Sequence, residues 1–590
     1  MKFSYVARIF DQIEQESART AITVVLAELF AQATVAEASV IAYVSLGSLK
    51  PPYLGAQFNL AAKSLIHVIA QLLGISIDAA KRELKKVGDL GSVVAQYTWG
   101  IEASVLSVID VERSLQKLLE MSGIGSQEIR EQAVLKLLGA LDPISAKYVL
   151  RIIEGNLRLG FSDMTLLDAF SWMASGNKSL RTDLEQAYNI SADIGLIIAM
   201  LKSAGIAGIH AMAIKPGIPI RPSAAERLAD AAAIIKKLGT CVAQPKLDGF
   251  RLQAHLDNRA KHKIVRFFSR NLLDMSAMFP DLVASLHELD VEQLIVEGEA
   301  ICINPQTGDF LPFQETVKRK RKHNIDQVAE DFPLKLYLFD ILFLNGISLL
   351  NKTHEERRHI MLKICATKAV QQHEIIKVID ERVVHHAEEL FNYFEETVTL
   401  GLEGLVVKRP DALYQPGKRN FNWIKLKREE TGSLDDTLDC VILGYYAGQG
   451  KRAQFGIGAL LVGVYHPGND EFQTVAKIGT GFTDAEWRTV KKQCDELRMS
   501  HQPHNVVCNK ELFPDVWVDP HIVCMIRADE ITLSPSHTAH ATTEKLGYAL
   551  RFPRFMGYRP DKSATTATTS AEVQDLYHLQ FEKKAKGKKN

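Results

Sequence analysis

Apolar residues recur with a helical period over the first third of the chain. AITVVLAELFAQA, LAAKSLIHVIAQLLG, IREQAVLKLLGAL and ISAKYVLRIIEGNLRLG carry them three and four positions apart, as on one face of an α-helix. Prolines follow at 216, 219 and 222, and proline breaks helices. The pattern predicts an all-α domain over residues 1–215.

The period changes from about residue 240. CVAQPKLDGFRLQAHL, KIVRFFSRN, QLIVEGEAICIN, KLYLFDILFL and EGLVVKR are short β-branched or aromatic runs separated by helical stretches. They predict a mixed α/β (α+β) domain over 216–430, and the polar stretch 429–437 marks its end. LDCVILGYYAGQG, GALLVGVYH and FQTVAKIGTGF then predict a small β-barrel over 431–565, followed by a basic C-terminal tail at 566–590.

Composition narrows the class of protein. With 590 residues, 46% of them hydrophobic and 24% charged, the chain has ordinary globular usage. Its seven cysteines form no CxxC pair, which argues against a zinc site or a disulfide framework. The N-terminus lacks a signal-peptide pattern, so we expect a soluble protein of the reducing cytoplasm.

Net charge at first argues against a nucleic-acid partner. The 70 basic residues equal the 70 acidic ones, and phosphate binding needs lysine and arginine. The whole-chain sum hides local surpluses, however. Residues 318–322 read KRKRK, and 401–430 hold seven basic residues against four acidic ones.

A candidate nucleophile lies in PKLDGFR. Lys246 follows an apolar run and precedes Gly249, and a lysine in a tuned environment can lose its proton and attack an electrophile. KxDG alone is weak, because a surface turn explains such a tetrapeptide more often than a nucleophile does.

Further motifs follow in order along the same predicted domain. They supply cations, carboxylates on one strand face and an aromatic residue: Ser269, Arg270 and Asn271 in FSRN, Glu297 and Glu299 in VEGE, Phe339 in LYLFD, Glu403 and Lys408 in EGLVVK, and Lys425 and Lys427 in WIKLK. Taken singly, each charged residue is explained as a solvated charge at a strand end, and the phenylalanine is explained as part of the hydrophobic core. Together they suit a nucleoside triphosphate with a divalent metal, since cations hold phosphates and carboxylates hold Mg²⁺ or ribose hydroxyls.

The order of motifs resembles that of the ATP-dependent DNA ligases, in particular the three-domain replicative type of archaea, eukaryotes and some bacteria. This family belongs to the covalent nucleotidyltransferase superfamily. KLDGFR is similar to its motif I, VEGE to motif III, LYLFD to motif IIIa, EGLVVK to motif IV, WIKLK to motif V and LRFPRFMGYRPDK to the motif VI region. KVGDLGSV and RIIEGNLRLGFSD resemble its DNA-binding domain, so the likeness covers essentially the whole chain.

The resemblance implies an all-α DNA-binding domain, an adenylation (nucleotidyltransferase) domain and a C-terminal OB-fold, with 429–437 as the hinge between the last two. It implies an enzyme that seals 5′-phosphate/3′-hydroxyl nicks in duplex DNA through lysyl-AMP and adenylylated DNA, in replication, repair and recombination. The implied cofactors are ATP and Mg²⁺, and nicked double-stranded DNA is the partner. We expect a monomer with no membrane partner, associated with the nucleoid, and a sliding clamp is a further candidate partner.

The same resemblance implies a role for each matched residue. Lys246 carries AMP, Glu299 and Glu403 are metal-binding carboxylates, and Phe339 stacks on adenine. The implied nucleotide-binding cations are Arg251, Arg270, Arg419, Lys425 and Lys427, with Arg551 and Arg554 orienting pyrophosphate.

One position departs from the family pattern. Gln244 stands two residues before the lysine, where many replicative ligases have a glutamate that helps to read adenine. Glutamine keeps a carbonyl acceptor for an exocyclic amine but adds donors. We expect adenine, with relaxed base choice as the alternative.

Other functions remain open at this stage. An RNA ligase or a capping guanylyltransferase shares KxDG but does not need about 210 helical residues in front of it. An NAD-dependent ligase is disfavoured by the lack of a four-cysteine zinc pattern. A non-catalytic nucleic-acid-binding protein is disfavoured by the intact set of lysines and glutamates.

Overall fold

The protein is described by a computed structural model that covers most of the chain. The described residues are 1–55, 58–99, 104–121, 126–228, 230–259, 263–304, 310–311, 316, 318–319, 325–366, 375–400, 402–427, 437–542 and 545–586. They form two compact units, one of residues 1–68 and 97–427 and one of residues 69–96 and 428–590.

The N-terminal third is helical, as the periodicity predicts. Its α-helices are Phe3–Gln15, Arg19–Gln32, Val35–Ser45, Ala62–Leu73, Ile77–Val87, Leu90–Val94, Val108–Glu120, Ser126–Gly139, Pro143–Ile153, Asp163–Ser175, Arg181–Ser191 and Ile194–His210. Side-chain caps fix several helix starts, as where Thr34 and Glu37 form a capping box. Phe30 and Phe170 pack edge to face in the core, 4.9 Å apart.

The middle of the chain forms a two-sheet α/β domain. Its strands are Ala224–Arg227 (β1), Cys241–Lys246 (β2), Phe250–Asp257 (β3), Ile264–Ser269 (β4), Gln293–Cys302 (β5), Leu334–Leu344 (β6), Ile347–Ser348 (β7), Ile376–Val378 (β8), Arg382–Val384 (β9), Gly404–Lys408 (β10) and Arg419–Lys427 (β11). Its helices are Ala231–Leu238, Pro280–Leu286, Ile325–Asp331, His354–Cys365 and Ala387–Thr399. One sheet has the order β1-β11-β10-β2-β9, and the other has β4-β3-β5-β6-β7 with β8 beside β6.

Helices pack against one face of each sheet. The opposite faces of the two sheets are turned toward each other, and their side chains meet between the sheets. Apolar side chains of β2, β10 and β11 pack with helices Ala231–Leu238 and Ala387–Thr399. Those of β3, β5 and β6 form a second core with helices Pro280–Leu286 and His354–Cys365. Lys408 of the first sheet donates from Nζ to the carbonyl oxygen of Phe339 in the second, at 2.8 Å. The polar residues of the candidate site therefore lie between two supported sheets.

The proline-containing segment at the start of this domain is fixed to β3. The backbone N–H of Gly217 donates to Nδ1 of His255 at 3.0 Å, and that of Ile220 donates to Oε1 of Gln253 at 2.7 Å. Burial lowers the pKa of His255 to about 3, so the ring is neutral and its Nδ1 is free to accept. These bonds anchor the connection beside the strand that carries Arg251.

The second unit is rich in β-structure. Its strands are Leu438–Tyr446 (β12), Ala459–His466 (β13), Glu471–Ile478 (β14), Arg498–Met499 (β15), Val506–Val507 (β16), Val516–Val518 (β17), Val523–Arg527 (β18), Glu530–Ser534 (β19), Gly547–Arg551 (β20) and Arg554–Tyr558 (β21). Strands β15-β17-β12-β13-β14-β16, with β18 and β21, form one sheet, β19 pairs with β20, and helix Asp484–Glu496 packs on the same core. The predicted fold class, all-α followed by α/β and then an OB-fold, is confirmed.

Two segments pack in ways that the sequence pattern did not indicate. Residues 69–96, predicted as part of the helical domain, pack with the C-terminal strands, and Lys85 forms an ion pair with Asp515 at 2.9 Å. Residues 566–590, predicted as a basic tail, contain the helix Ser570–Lys586. Val573 is buried in the core of the unit, and this contact stabilises the helix beyond its weak composition signal.

Two sequence predictions fall largely outside the described residues. The proposed hinge 429–437 is described only at Thr437, and KRKRK only at Lys318 and Arg319. Arg319 is buried and pairs with Asp281 at 2.6 Å, so this cation is held inside the domain. Among the described helices, no single one is long and apolar enough to span a membrane, although the bent pair Ala62–Leu73 and Ile77–Val87 passes the length and composition criteria together.

Candidate active site

Lys246 lies at the end of β2, where the chain crosses from one sheet to the other. Its neighbour in the ladder is Gly404, and its carbonyl oxygen accepts from the backbone N–H of Glu403 at 3.2 Å. Gly249 begins the return, and a Cβ at this position would lie 2.3 Å from the carbonyl oxygen of Ala300. Glycine in KLDG is thus required by the close approach of β5, which brings Glu299 beside the lysine.

Glu403 connects two lysines at this end of the site. It forms an ion pair with Lys246, and its Oε1 accepts from Nζ of Lys427 at 3.0 Å. Burial acts to raise the pKa of Glu403, but the charges and hydrogen bonds of the two lysines outweigh burial and lower the pKa below its ordinary value. The half-buried carboxylate is therefore ionised and fixes both amines.

Further cations surround this pair. Burial lowers the pKa of Lys425, and the neighbouring charges of Lys427, Arg419, Lys246 and Arg270 lower it further. Such mutual repulsion shows that cations from β2, β11 and the turn after β4 converge on one region. A concentration of positive charge of this kind is suited to the phosphates of a nucleotide.

The paired carboxylates of β5 have different surroundings. Glu297 is 1% exposed and accepts from Arg251 Nη2 at 3.0 and 3.1 Å and from the Tyr414 hydroxyl at 2.9 Å. Arg251 also donates to the carbonyl oxygen of Ser223 at 2.8 Å and lies 5.4 Å from the ring centre of Phe339. The resemblance implies that Arg251 binds the phosphate or ribose of the nucleotide. In the structure its guanidinium is held by Glu297 and by the carbonyl oxygen of Ser223.

Glu299 has a strongly shifted pKa. Burial raises it from 4.5 to about 7, against the lowering effects of Lys246, Arg251 and the backbone N–H of Gly249. A buried carboxyl group with a shifted pKa beside a candidate nucleophile is typical of functional sites.

We expect Glu299→Gln to stabilise the nucleotide-free protein at pH 8 and to do so much less at pH 5. Because the pKa is higher in the folded state, ionisation of Glu299 destabilises the fold increasingly from pH 4.5 to about 7. At 1.36 kcal/mol per pKa unit, the gain at pH 8 is at most about 3 kcal/mol. Calorimetric melting temperatures of both proteins at the two pH values measure it.

The control for this prediction is Glu396→Gln, which removes an exposed carboxylate paired with Arg382. We expect its effect on melting temperature to be small at both pH values. An equal gain from Glu299→Gln at pH 5 and pH 8 would contradict the prediction.

Phe339 lies at the other side of the site. Its half-buried ring meets Trp423 edge to face, with centroids 6.0 Å apart, and Nζ of Lys408 lies 5.2 Å from the Phe339 ring centre. Burial lowers the pKa of Lys408 to about 8, against the effects of Asp340 and Glu381, which raise it. The sequence counted Lys408 among the cations suited to phosphates, whereas in the structure its Nζ donates to the carbonyl oxygen of Phe339 and connects the two sheets.

Gln244 belongs to a buried polar cluster that the sequence did not predict. Its Nε2 donates to Oε2 of Glu381 at 2.7 Å, and Glu381 also pairs with His354 at 2.8 Å and Arg358 at 3.0 Å. These residues lie more than 100 positions from Gln244 in the chain, and no motif connects them to it.

Arg551 and Arg554 lie in the second unit, on adjacent strand ends. Arg551 pairs with Glu530, and Arg554 pairs with Asp529 at 3.3 Å. Both retain partial exposure, so each guanidinium is oriented by a carboxylate and is accessible to a ligand.

The carboxylates of the first unit could supply only part of a Mg²⁺ coordination shell. Among the described residues, no group of three or more histidine, cysteine or acidic side chains could form a complete metal site. Mg²⁺ in nucleotide sites usually takes one or two carboxylates together with substrate phosphates and waters. Glu403, ionised and adjacent to the cations, fits that donor set.

Between its two sheets the domain places a strand-end lysine beside an ionised carboxylate and further cations, an arrangement suited to a nucleotidyltransferase. The family model "ATP dependent DNA ligase domain" matches residues 222–427, "DNA ligase N terminus" matches 2–171, and "ATP dependent DNA ligase C terminal region" matches 453–562. The chain belongs to the ATP-dependent DNA ligase family.

Relatives support the same assignment over the full chain. A "Probable DNA ligase" of Dictyoglomus turgidum is 42% identical over 586 residues, covering 99% of both chains. A "DNA ligase" of Sulfolobus acidocaldarius is 35% identical over 603 residues, again covering 99% of both. A solved structure titled "Pmar-Lig_PreS3" shares the fold, with 18% identity, a TM-score of 0.57, and coverage of 94% of this chain and 99% of that one.

Proposed function

We propose that this ATP-dependent DNA ligase seals 5′-phosphate/3′-hydroxyl nicks with Lys246 as its nucleophile. The observation that carries the assignment is the convergence of Lys246, Glu403 and Lys427 within a cation cluster. A single lysine there has both an amine to attack phosphorus and neighbouring charges to stabilise the oxyanions that develop.

The reaction consists of three transfers at phosphorus. Nζ of Lys246 attacks the α-phosphorus of ATP, a P–N bond forms, the bond to pyrophosphate breaks, and Nζ, an ammonium in its ion pair with Glu403, releases two protons in becoming the phosphoramidate N–H. An oxygen of the 5′-phosphate at the nick then attacks the same phosphorus and displaces the lysine. Finally the 3′-hydroxyl attacks the 5′-phosphorus, loses its proton and releases AMP.

Residue roles follow from position in the site. Lys425, Lys427, Arg270 and Arg419 neutralise phosphate oxygens, and Phe339 offers a ring face to the base. Arg251 acts from beneath this ring, where Glu297 holds it, and contributes positive potential. Arg551 and Arg554 act in the lysine adenylylation step, and their pairing with Glu530 and Asp529 keeps them oriented.

Mg²⁺ would be held by Glu403, with Glu299 as the second carboxylate. Its chemistry is to neutralise charge on the nucleotide phosphates. Because the pKa of Glu299 is raised to about 7, this group is ionised and able to bind the metal mainly above that pH, and the positive charge of the metal would lower the pKa.

We expect the purified protein to seal a 5′-phosphorylated nicked duplex when both ATP and Mg²⁺ are present. A gel assay should show the adenylylated DNA strand as an intermediate that depends on the 5′-phosphate. A duplex lacking that phosphate is the control and should remain open. Sealing of an RNA nick in preference to DNA, or sealing supported by NAD and not ATP, would overturn the proposal.

Three finer properties remain proposals drawn from the family. They are action as a monomer, association with the nucleoid, and contact with a sliding clamp. Gel filtration with light scattering tests the first of them directly.

A further inference from the structure

The cluster around Gln244 lies beyond Lys246 along the same strands. In the ladder between β2 and β10, Lys246 is opposite Gly404, Gln244 is opposite Val406, and Lys408 ends β10. Residues two apart on a strand share a face and are separated by about 6.6 Å. Gln244 therefore points to the same side as Lys246, one step nearer to Lys408 and Phe339.

Glu381 accepts from three neighbouring side chains. Its Oε2 accepts from Gln244 at 2.7 Å and from His354 Nε2 at 2.8 Å, and its Oε1 pairs with Arg358 Nε at 3.0 Å. Burial acts to raise the pKa of Glu381, but the His354 hydrogen bond and the Arg358 charge outweigh it and the pKa is lowered. The group is therefore a carboxylate, which can only accept.

This carboxylate determines the orientation of the Gln244 amide. The NH₂ group must face Glu381, because the reverse orientation would place two acceptor oxygens at the same short separation. Gln244 is 1% exposed, and among the described residues no hydrogen bond reaches its Oε1. The amide thus directs its carbonyl oxygen away from the NH₂ group that faces Glu381, toward the remaining space.

We propose that Glu381 is a positioning residue that fixes Gln244 as a hydrogen-bond acceptor and thereby selects 6-aminopurine over 6-oxopurine nucleotides. The proposal rests on the proposed function, in which the α-phosphorus of the nucleotide is at Lys246. Adenine carries an amino donor at position 6, whereas hypoxanthine and guanine carry a carbonyl acceptor. Two facing acceptors leave both without a partner, which disfavours the oxo base.

The same geometry explains why glutamine occupies this position. A glutamate at 244 would place a second carboxylate within hydrogen-bond distance of Glu381, and two like charges so close cannot both ionise. Glutamine supplies the acceptor without the charge.

The first test compares lysine labelling from ATP and from ITP in wild type and in Glu381→Gln. ITP carries the 6-oxo group and a hydrogen on N1 but lacks the 2-amino group of GTP, so its comparison with ATP changes only the edge formed by N1 and position 6. In the variant an amide faces Gln244, both orientations of Gln244 become available, and we expect the ATP/ITP ratio of kcat/KM to fall about tenfold. Because the ratio is taken within one protein, loss of folded protein does not alter it.

The second test is a charge exchange. We expect Gln244→Glu to reduce labelling from ATP by about 10- to 100-fold, and Gln244→Glu with Glu381→Gln to recover most of that loss. Glu396→Gln, which removes an exposed carboxylate near the same strand β9, is the matched control and should leave both quantities unchanged.

The outcomes separate this proposal from the proposed function. If wild type labels with ATP but the ATP/ITP ratio is the same in Glu381→Gln, or if the double variant is no better than Gln244→Glu, Glu381 does not position Gln244. If neither ATP nor ITP labels the wild-type protein, the proposed function itself fails.

Discussion

Replacing Lys246 with alanine is expected to abolish transfer of label from α-³²P-labelled ATP to the protein, a loss of at least about four orders of magnitude. Removal of a covalent nucleophile eliminates the intermediate and is not compensated by the remaining groups. Scintillation counting of acid-precipitated protein after incubation with ATP and Mg²⁺ measures the loss.

The fold should tolerate this change. Lys246 is half-buried at a strand end, and Glu403 keeps Lys427 as a partner at 3.0 Å when the first lysine is removed. A melting temperature within a few degrees of wild type is therefore expected. Lys352→Ala, which removes an exposed lysine paired with Glu356, is the matched control and should label normally. Undiminished labelling of Lys246→Ala would exclude this lysine as the site of adenylylation.

The alternation of residues along a strand correctly predicted which side chains of the site share a face. The spacing of Glu297 and Glu299 placed both on one strand face, and the structure puts them opposite Gln253 and Arg251 of β3. The spacing of Lys425 and Lys427 likewise placed both on one side of β11, and Lys427 reaches Glu403. Alternation along a strand is a local property, so it can be read from a single sequence.

Partners distant in the chain could not be predicted in this way. Nothing near Arg251 indicates that Glu297, 46 positions away, holds its guanidinium, and Glu381 is 137 positions from Gln244. These contacts arise from the packing of two sheets, and sheet order is not encoded in strand periodicity. Helix Ser570–Lys586 was missed for a related reason, because contact of Val573 with the core stabilises a segment that composition predicts to be a tail.

Replacing Glu403 with glutamine is expected to reduce lysine labelling by about 10²- to 10³-fold and to raise the Mg²⁺ concentration needed for half-maximal labelling. In the structure this carboxylate pairs with Lys246 and Lys427, and its pKa lies below the ordinary value, so it is charged at neutral pH. An amide keeps the shape and one acceptor but loses the charge that attracts a divalent cation.

The Mg²⁺ titration distinguishes two roles of Glu403. If the carboxylate only orients the lysines, Glu403→Gln will label slowly with an unchanged Mg²⁺ midpoint, and the proposed metal role is wrong. If it also binds the metal, the midpoint will rise, and Glu403→Asp, which retains the charge, will lie between wild type and Glu403→Gln. Glu396→Gln should again match wild type, since that exposed carboxylate pairs only with Arg382 in the part of the chain that the structure describes. Because both roles use one side chain, a raised midpoint together with slow labelling at saturating Mg²⁺ is the expected result.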